Sequence, residues 1–261
     1  MRKFPALIIA LAAGVIALVV AAPSAIAAHR PPGAGAAQPM AEPSGPVDLD
    51  PLSAMTTALR TTGHNVTMTT QGSTMVGAVD PAHGAADADA KGFGLDLDEV
   101  VVNGQIYVKV DLGASTDQQD GIMPNVWMRL DPKQINAANE LLVQPNASGP
   151  VDIAGIAAGI TELRRDDARH LEGTIDLTKI SGHTTPDPDE VTRAGTAATR
   201  VPFAVTADAN GRITRFQVYA GTFDPGLSLR VDYSGYGSPH AIAAPASSVP
   251  APPSIYALFN D

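Results

Sequence analysis

The residues best suited to acid–base or metal chemistry in this chain are six histidines, His29, His64, His83, His170, His183 and His240. No two of them stand four apart, so no helix presents a pair to a metal as an H-E-x-x-H segment does. Cysteine is absent, which removes thiolate ligands, disulfides and a thiol nucleophile. The chain has no G-x-S-x-G elbow, Walker loop or G-x-G-x-x-G turn. Asp187, Asp189 and Glu190 form an acidic run without the alternating carboxylates and turn glycine of a calcium loop, so it is read as a solvated loop. Asn65-Val66-Thr67 and Asn146-Ala147-Ser148 fit the glycosylation sequon, a motif common by chance. The histidines are therefore expected at the surface or in turns, with no carboxylate beside them at a strand end. No catalytic residue, metal or cofactor is assigned, and the expected function is non-enzymatic.

With polar chemistry this sparse, the apolar patterning carries the reading. Met1-Arg2-Lys3 is a short basic start, Ala6 to Ala22 is unbroken Ala, Leu, Ile, Val and Gly, and Ala25 and Ala27 fit a cleavage site. Together these predict a signal peptide over 1–27 and export, with retention as a membrane anchor the alternative. Residues 28–49 are rich in Pro, Ala and Gly and read as a linker with little to bury. The formal net charge of −10 disfavours nucleic acid as a partner.

The folded part, 50–245, is expected to open with a helix capped by Asp50-Pro51, burying Leu52, Met55 and Leu59 and ending at Gly63. Asn103-Gly104 predicts a two-residue hairpin pairing Val101 with Ile106 and Leu97 with Val110. Phe93, Leu95, Leu97, Val101, Ile106, Val108 and Val110 then share one face, and Asp98 and Lys109 pair on the other. Glu99 falls on the apolar face and marks a bulge or a cavity mouth. Asn210-Gly211 predicts a second hairpin pairing Val205 with Phe216 and Phe203 with Val218, with Thr206 and Arg215 outward. The following strand points Leu227, Leu229, Val231 and Tyr233 inward. Helices are expected from Asp131-Pro132, carrying Ile135, Ala138 and Leu142, and from Asp152 to Leu163, carrying Ile153, Ile156 and Ile160. Gly155 and Gly159 lie inside the second, and Arg164 to Asp167 form its C-terminus and exit turn. A strand is expected over 170–180, an exposed loop over 181–195, and a Pro-rich tail over 246–261 that wraps the surface or frays. One buried and one wet face per strand indicates an antiparallel sheet, and the class is α+β.

Several stretches resemble the actinobacterial LppX/LprG lipoprotein family, whose fold is related to the LolA-type lipoprotein carriers. They are Val100 to Val108, Trp127 to Leu130, the segment ending at Leu163, Leu171 to Leu177, Val201 to Val205, Asp208 to Ile213, and Val231 to Ser234 leading into Gly237-Ser238-Pro239. The resemblance implies a curved antiparallel half-barrel whose concave face is covered by helices, with a hydrophobic cavity between. It implies acylated lipid or glycolipid as partner, carried between envelope layers. The lipobox cysteine of that family is missing, so no lipid anchor is expected. Candidate cavity residues are Leu97, Val101, Ile106, Val108, Trp127, Ile135, Leu142, Ile153, Ile156, Ile160, Phe203, Val205, Phe216 and Leu229. The same residues also read as an ordinary packed core. The alternative function is an envelope sensory or regulatory domain that binds a membrane protein.

Overall fold

The computed structural model describes residues 47–92, 94–113, 122–135, 153–180, 188–221 and 228–260. The signal peptide, nearly all of the linker, Phe93, Ala138, Leu142, Asp152, the Asn146 sequon, His29, His183, Asp187 and Leu227 lie outside these residues.

Helix α1 spans Asp50–Thr61, with proline in its first turn and Leu52, Met55, Thr56 and Leu59 buried. Its cap lies one residue earlier than expected: Leu49 occupies the N-cap, and the Asp48 carboxylate accepts from the Asp50 amide at 3.0 Å.

Twelve strands form one curved, unclosed sheet. In chain order they are β1 (His64–Thr69), β2 (Ser73–Asp80), β3 (Ala85–Gly92), β4 (Leu95–Val102), β5 (Gln105–Asp111), β6 (Met128–Leu130), β7 (Ile160–Arg165), β8 (His170–Ile175), β9 (Val201–Ala207), β10 (Ile213–Val218), β11 (Leu229–Ser234) and β12 (Val249–Pro250). Their spatial order is β12-β6-β5-β4-β3-β2-β1-β11-β10-β9-β8-β7. Two antiparallel meanders therefore meet where β1 pairs with β11. Among the described strands only β12 runs parallel to its neighbour, β6. β6 and β7 lie toward opposite edges of the sheet.

The turn chemistry sets the registers. Asn103 and Gly104 have φ of 52° and 71°, the left-handed pair that a type I′ turn needs. Val101 faces Ile106, Leu97 faces Val110, and Asp98 faces and ion-pairs with Lys109. No bulge occurs at Glu99, since β4 keeps unbroken register there with both β3 and β5. The second hairpin has the expected pairs Val205 with Phe216, Phe203 with Val218 and Thr206 with Arg215, but not a two-residue turn. A register shift between Ile213 and Arg215 lengthens the loop. The Asp208 carboxylate organises it by accepting from the Asn210 amide (2.8 Å), the Arg212 amide (3.0 Å) and Arg212 Nε (2.8 Å).

Four expectations are corrected. The helix expected up to Leu163 is only α2, Ile153–Ala157. Ile160 and Leu163 belong to strand β7, and Asp166-Asp167 make the β7–β8 turn rather than a helix end. Gly159 explains the change, because the chain passes so close to β8 that a Cβ there would sit 2.7 Å from the Asp176 carbonyl oxygen. The helix expected from Pro132 is one 3-10 turn, Pro132–Gln134, and Ile135 is already extended. The strand expected up to residue 180 stops at Ile175, where Asp176 caps a 3-10 turn over Leu177–Lys179. The acidic loop contains helix α3 (Pro188–Ala194), and Glu190 is 1% exposed rather than solvated.

The segment after Pro245 wraps rather than frays. It adds β12 to the sheet edge and ends in helix α4 (Pro253–Asn260), which buries Ile255, Leu258 and Phe259. Tyr256 Oη accepts from the Asp131 amide at 2.8 Å, and Asn260 Nδ2 donates to the Gln134 carbonyl at 2.7 Å. Among the described residues no helix is long and apolar enough to cross a membrane.

Candidate functional site

Strand alternation puts one apolar face along the whole sheet. Leu97, Val101 and Val108 of the first meander lie on it, as do Phe203, Val205 and Phe216 of the second, all buried. Ile153 and Ile156 of α2 and Ile160 of β7 are buried in the same cluster. Ile106, Ile135 and Leu229 are half-buried against it. Leu142 lies outside the described residues. Trp127 does not join: the Lys109 ammonium lies 5.3 Å from its ring centroid, and Lys109 projects from the opposite face with Asp98. Met128 and Leu130, one and three residues on, take the inward positions instead and are buried.

The middle of this face is lined by small side chains. β3 contributes Ala86, Ala88 and Ala90, and β2 contributes Gly77 opposite Ala88. One row across the strands reads Val108, Glu99, Ala88, Gly77, Val66, Tyr233. Glu99 is 1% exposed in this row, so a carboxyl group stands within the apolar surface.

A second polar group interrupts the face at the junction of the meanders. His64 is fully buried, which overturns the expectation of a surface or turn histidine. Its position two residues before Val66 and four before Met68 on β1 carries the alternation that could have placed it inside. His64 Nδ1 lies 2.9 Å from the Thr62 carbonyl oxygen. Burial lowers its pKa, and the bond to Thr62 only partly opposes that. The Tyr233 ring meets His64 edge-on at 5.8 Å between centroids, and Tyr236 lies 5.7 Å away. Tyr236 Oη donates to the Ile213 carbonyl at 2.6 Å, and the Arg212 guanidinium packs 4.8 Å from its ring. Burial pushes both tyrosine pKa values up, so both phenols are neutral. His64 Nε2 and Tyr233 Oη have no hydrogen-bond partner among the described residues.

The other described histidines each sit beside an aspartate, contrary to expectation. His83 Nδ1 is 2.6 Å from Asp80, His170 Nδ1 is 2.8 Å from Asp167, and His240 Nε2 is 2.6 Å from Asp87. All three rings are about half exposed or more. The first two pairs shape turns. The third ties the chain beyond β11 to the outer side of β3, where the His240 amide also donates to Asn65 Oδ1 at 3.0 Å. Among the described residues no group of three His, Asp or Glu side chains could hold a metal ion.

No protein-family model matches the chain, and no curated protein matches it.

Proposed function

We propose that this is an exported, non-enzymatic lipid carrier of the LppX/LprG kind, which holds acyl chains between the apolar face of the sheet and helices that cover it. The observation that supports this best is the apolar face that runs over both meanders, interrupted by Glu99 and His64 and lined at its centre by Gly77, Ala86, Ala88 and Ala90. These residues are buried, and in this reading an acyl chain takes the place of what covers them. Ile153 and Ile156 of α2 join the same cluster, and in this reading helices cover the concave face. The energetics suit a carrier. Each buried CH₂ contributes about 0.8 kcal/mol, and association and ordering costs of roughly 4–15 kcal/mol offset much of the total for one or two chains. The resulting binding is useful yet reversible. The apolar run at the N-terminus supports export through a signal peptide over 1–27, with the linker after it.

Native mass spectrometry on the full chain purified from an actinobacterial host tests the reading. The expected result is a bound mass in the range of an acylated lipid or glycolipid, released by organic solvent. A lipid-free mass together with no uptake of a fluorescent fatty-acyl probe would refute it.

A further inference from the structure

A buried polar atom without a partner forfeits its hydration, so such atoms are rare and those that persist call for an explanation. Two stand side by side here. His64 is 0% exposed and Tyr233 3%, yet neither His64 Nε2 nor Tyr233 Oη has a hydrogen-bond partner among the described residues. Both belong to the apolar face, on neighbouring strands, with ring centroids 5.8 Å apart.

Their bonding capacities are complementary. A carbonyl oxygen only accepts, so the 2.9 Å contact to Thr62 places the imidazole proton on Nδ1. The neutral ring then turns a bare lone pair on Nε2 toward its surroundings. Tyr233 Oη offers an O–H. The pair therefore presents one acceptor and one donor, and its complement carries one O–H and one oxygen acceptor. A protonated carboxyl group has both on a single carbon.

We propose that His64 and Tyr233 bind the carboxyl head of a fatty acid, with Tyr233 donating to its C=O and His64 Nε2 accepting from its O–H. The inference rests on the lipid-carrier reading and adds the ligand's head group.

The test uses the full lipid-free chain, a fluorescent fatty-acyl probe, and displacement by palmitic acid or methyl palmitate. The ester keeps the C=O and loses the O–H. Palmitic acid is expected to bind about tenfold more tightly than the ester, as one hydrogen bond to a buried acceptor allows. His64→Leu should abolish that preference. Tyr233→Phe should weaken both ligands about tenfold and keep the preference. It should leave the melting temperature of the lipid-free protein unchanged or raised, because it removes an unpaired hydroxyl. A lowered melting temperature would mean that the hydroxyl is satisfied internally, by a buried water or by His64 itself, and would overturn the proposal. Probe uptake with equal affinity for acid and ester, undisturbed by Tyr233→Phe, would overturn this site and leave the carrier reading standing. No uptake of probe, acid or ester would overturn both.

Discussion

The two meanders that meet at β1 and β11 build the same apolar face from different material. The first fills its centre with Gly77, Ala86, Ala88 and Ala90 and places Glu99 among them. The second fills its share with Leu171, Ile175, Phe203 and Phe216, the two phenylalanine rings 5.8 Å apart. Their outer faces differ as well. The first carries Asp87, Asp89, Asp96 and Asp98 on adjacent strands, with Lys91 and Lys109 as counter-charges. The second balances its charges in pairs: Arg215 and Arg230 both reach Asp232, Arg164 reaches Glu172, and Arg200 reaches Glu162. The difference separates two uses of one sheet. Bulky interlocking side chains make a core, whereas small ones close a surface only if something else lies on them.

The strongest way to break the comparison is to hollow the second meander. Phe216→Ala removes a fully buried ring, and truncations of this kind cost about 3–5 kcal/mol. Chemical denaturation should show that loss with little change in acyl-probe affinity. A cost below about 1 kcal/mol would mean that the second meander is no better packed than the first. The reciprocal change fills the first meander. Ala88→Leu should cost less than about 1 kcal/mol while lowering probe uptake several-fold. If it costs the 1–3 kcal/mol typical of overpacking, the alanine row is close-packed against the protein that buries it and offers no room for an acyl chain.

Gly159 gives an intermediate effect. A helical Gly159 on a cavity wall would accept a larger side chain, but the structure leaves a Cβ 2.7 Å from the Asp176 carbonyl and 3.1 Å from Ile175 Cγ2. Gly159→Ala should therefore cost about 1–3 kcal/mol by overpacking. A melting temperature equal to that of the parent would show that β7 does not leave α2 at this point.

Legibility in the sequence followed how many structures each pattern could satisfy. Asn103-Gly104 permits essentially one hairpin register, so the faces of β4 and β5 were readable residue by residue. Asn210-Gly211 placed the pairing of β9 and β10, but not the extra loop residue that the Asp208 carboxylate stabilises. The spacing of Ile153, Ile156, Ile160 and Leu163 fits a helical stripe. In the structure it is divided between a short helix and an edge strand, and only the close approach at Gly159, a tertiary fact, decides between the two. Trp127 reads as an inward aromatic, but the inward phase belongs to Met128 and Leu130. The prolines of the C-terminal segment conceal its helix. Pro253 is nevertheless a favourable helix start, and Ile255, Leu258 and Phe259 stand at helical spacing behind it. His64 shares the inward phase of Val66 and Met68, a signal that its polar side chain hides in the sequence, because a buried imidazole runs against the usual pattern.

The smallest predicted effect lies where the meanders join. Burial holds the folded-state pKa of His64 below its ordinary 6.5. Between those two values the unfolded chain binds the extra proton, so stability declines as pH falls below 6.5 and levels off below the folded pKa. The groups facing the ring do not cancel this. Tyr233 and Tyr236 stay neutral, and the Arg212 cation on the far side of Tyr236 disfavours a second positive charge. The perturbed aspartates act in a lower window. At Asp208 and Asp232 burial raises the pKa, but bonds from Arg212 and from Arg230 and Arg215 outweigh it, so both lie below 3.8 and their stabilisation is lost only in stronger acid. Melting curves at pH 7.5 and 5.5 should therefore show a small loss in the parent protein, and His64→Gln should shrink that loss. An equal loss in both proteins would place the titrating group elsewhere and leave the junction of the meanders electrostatically silent.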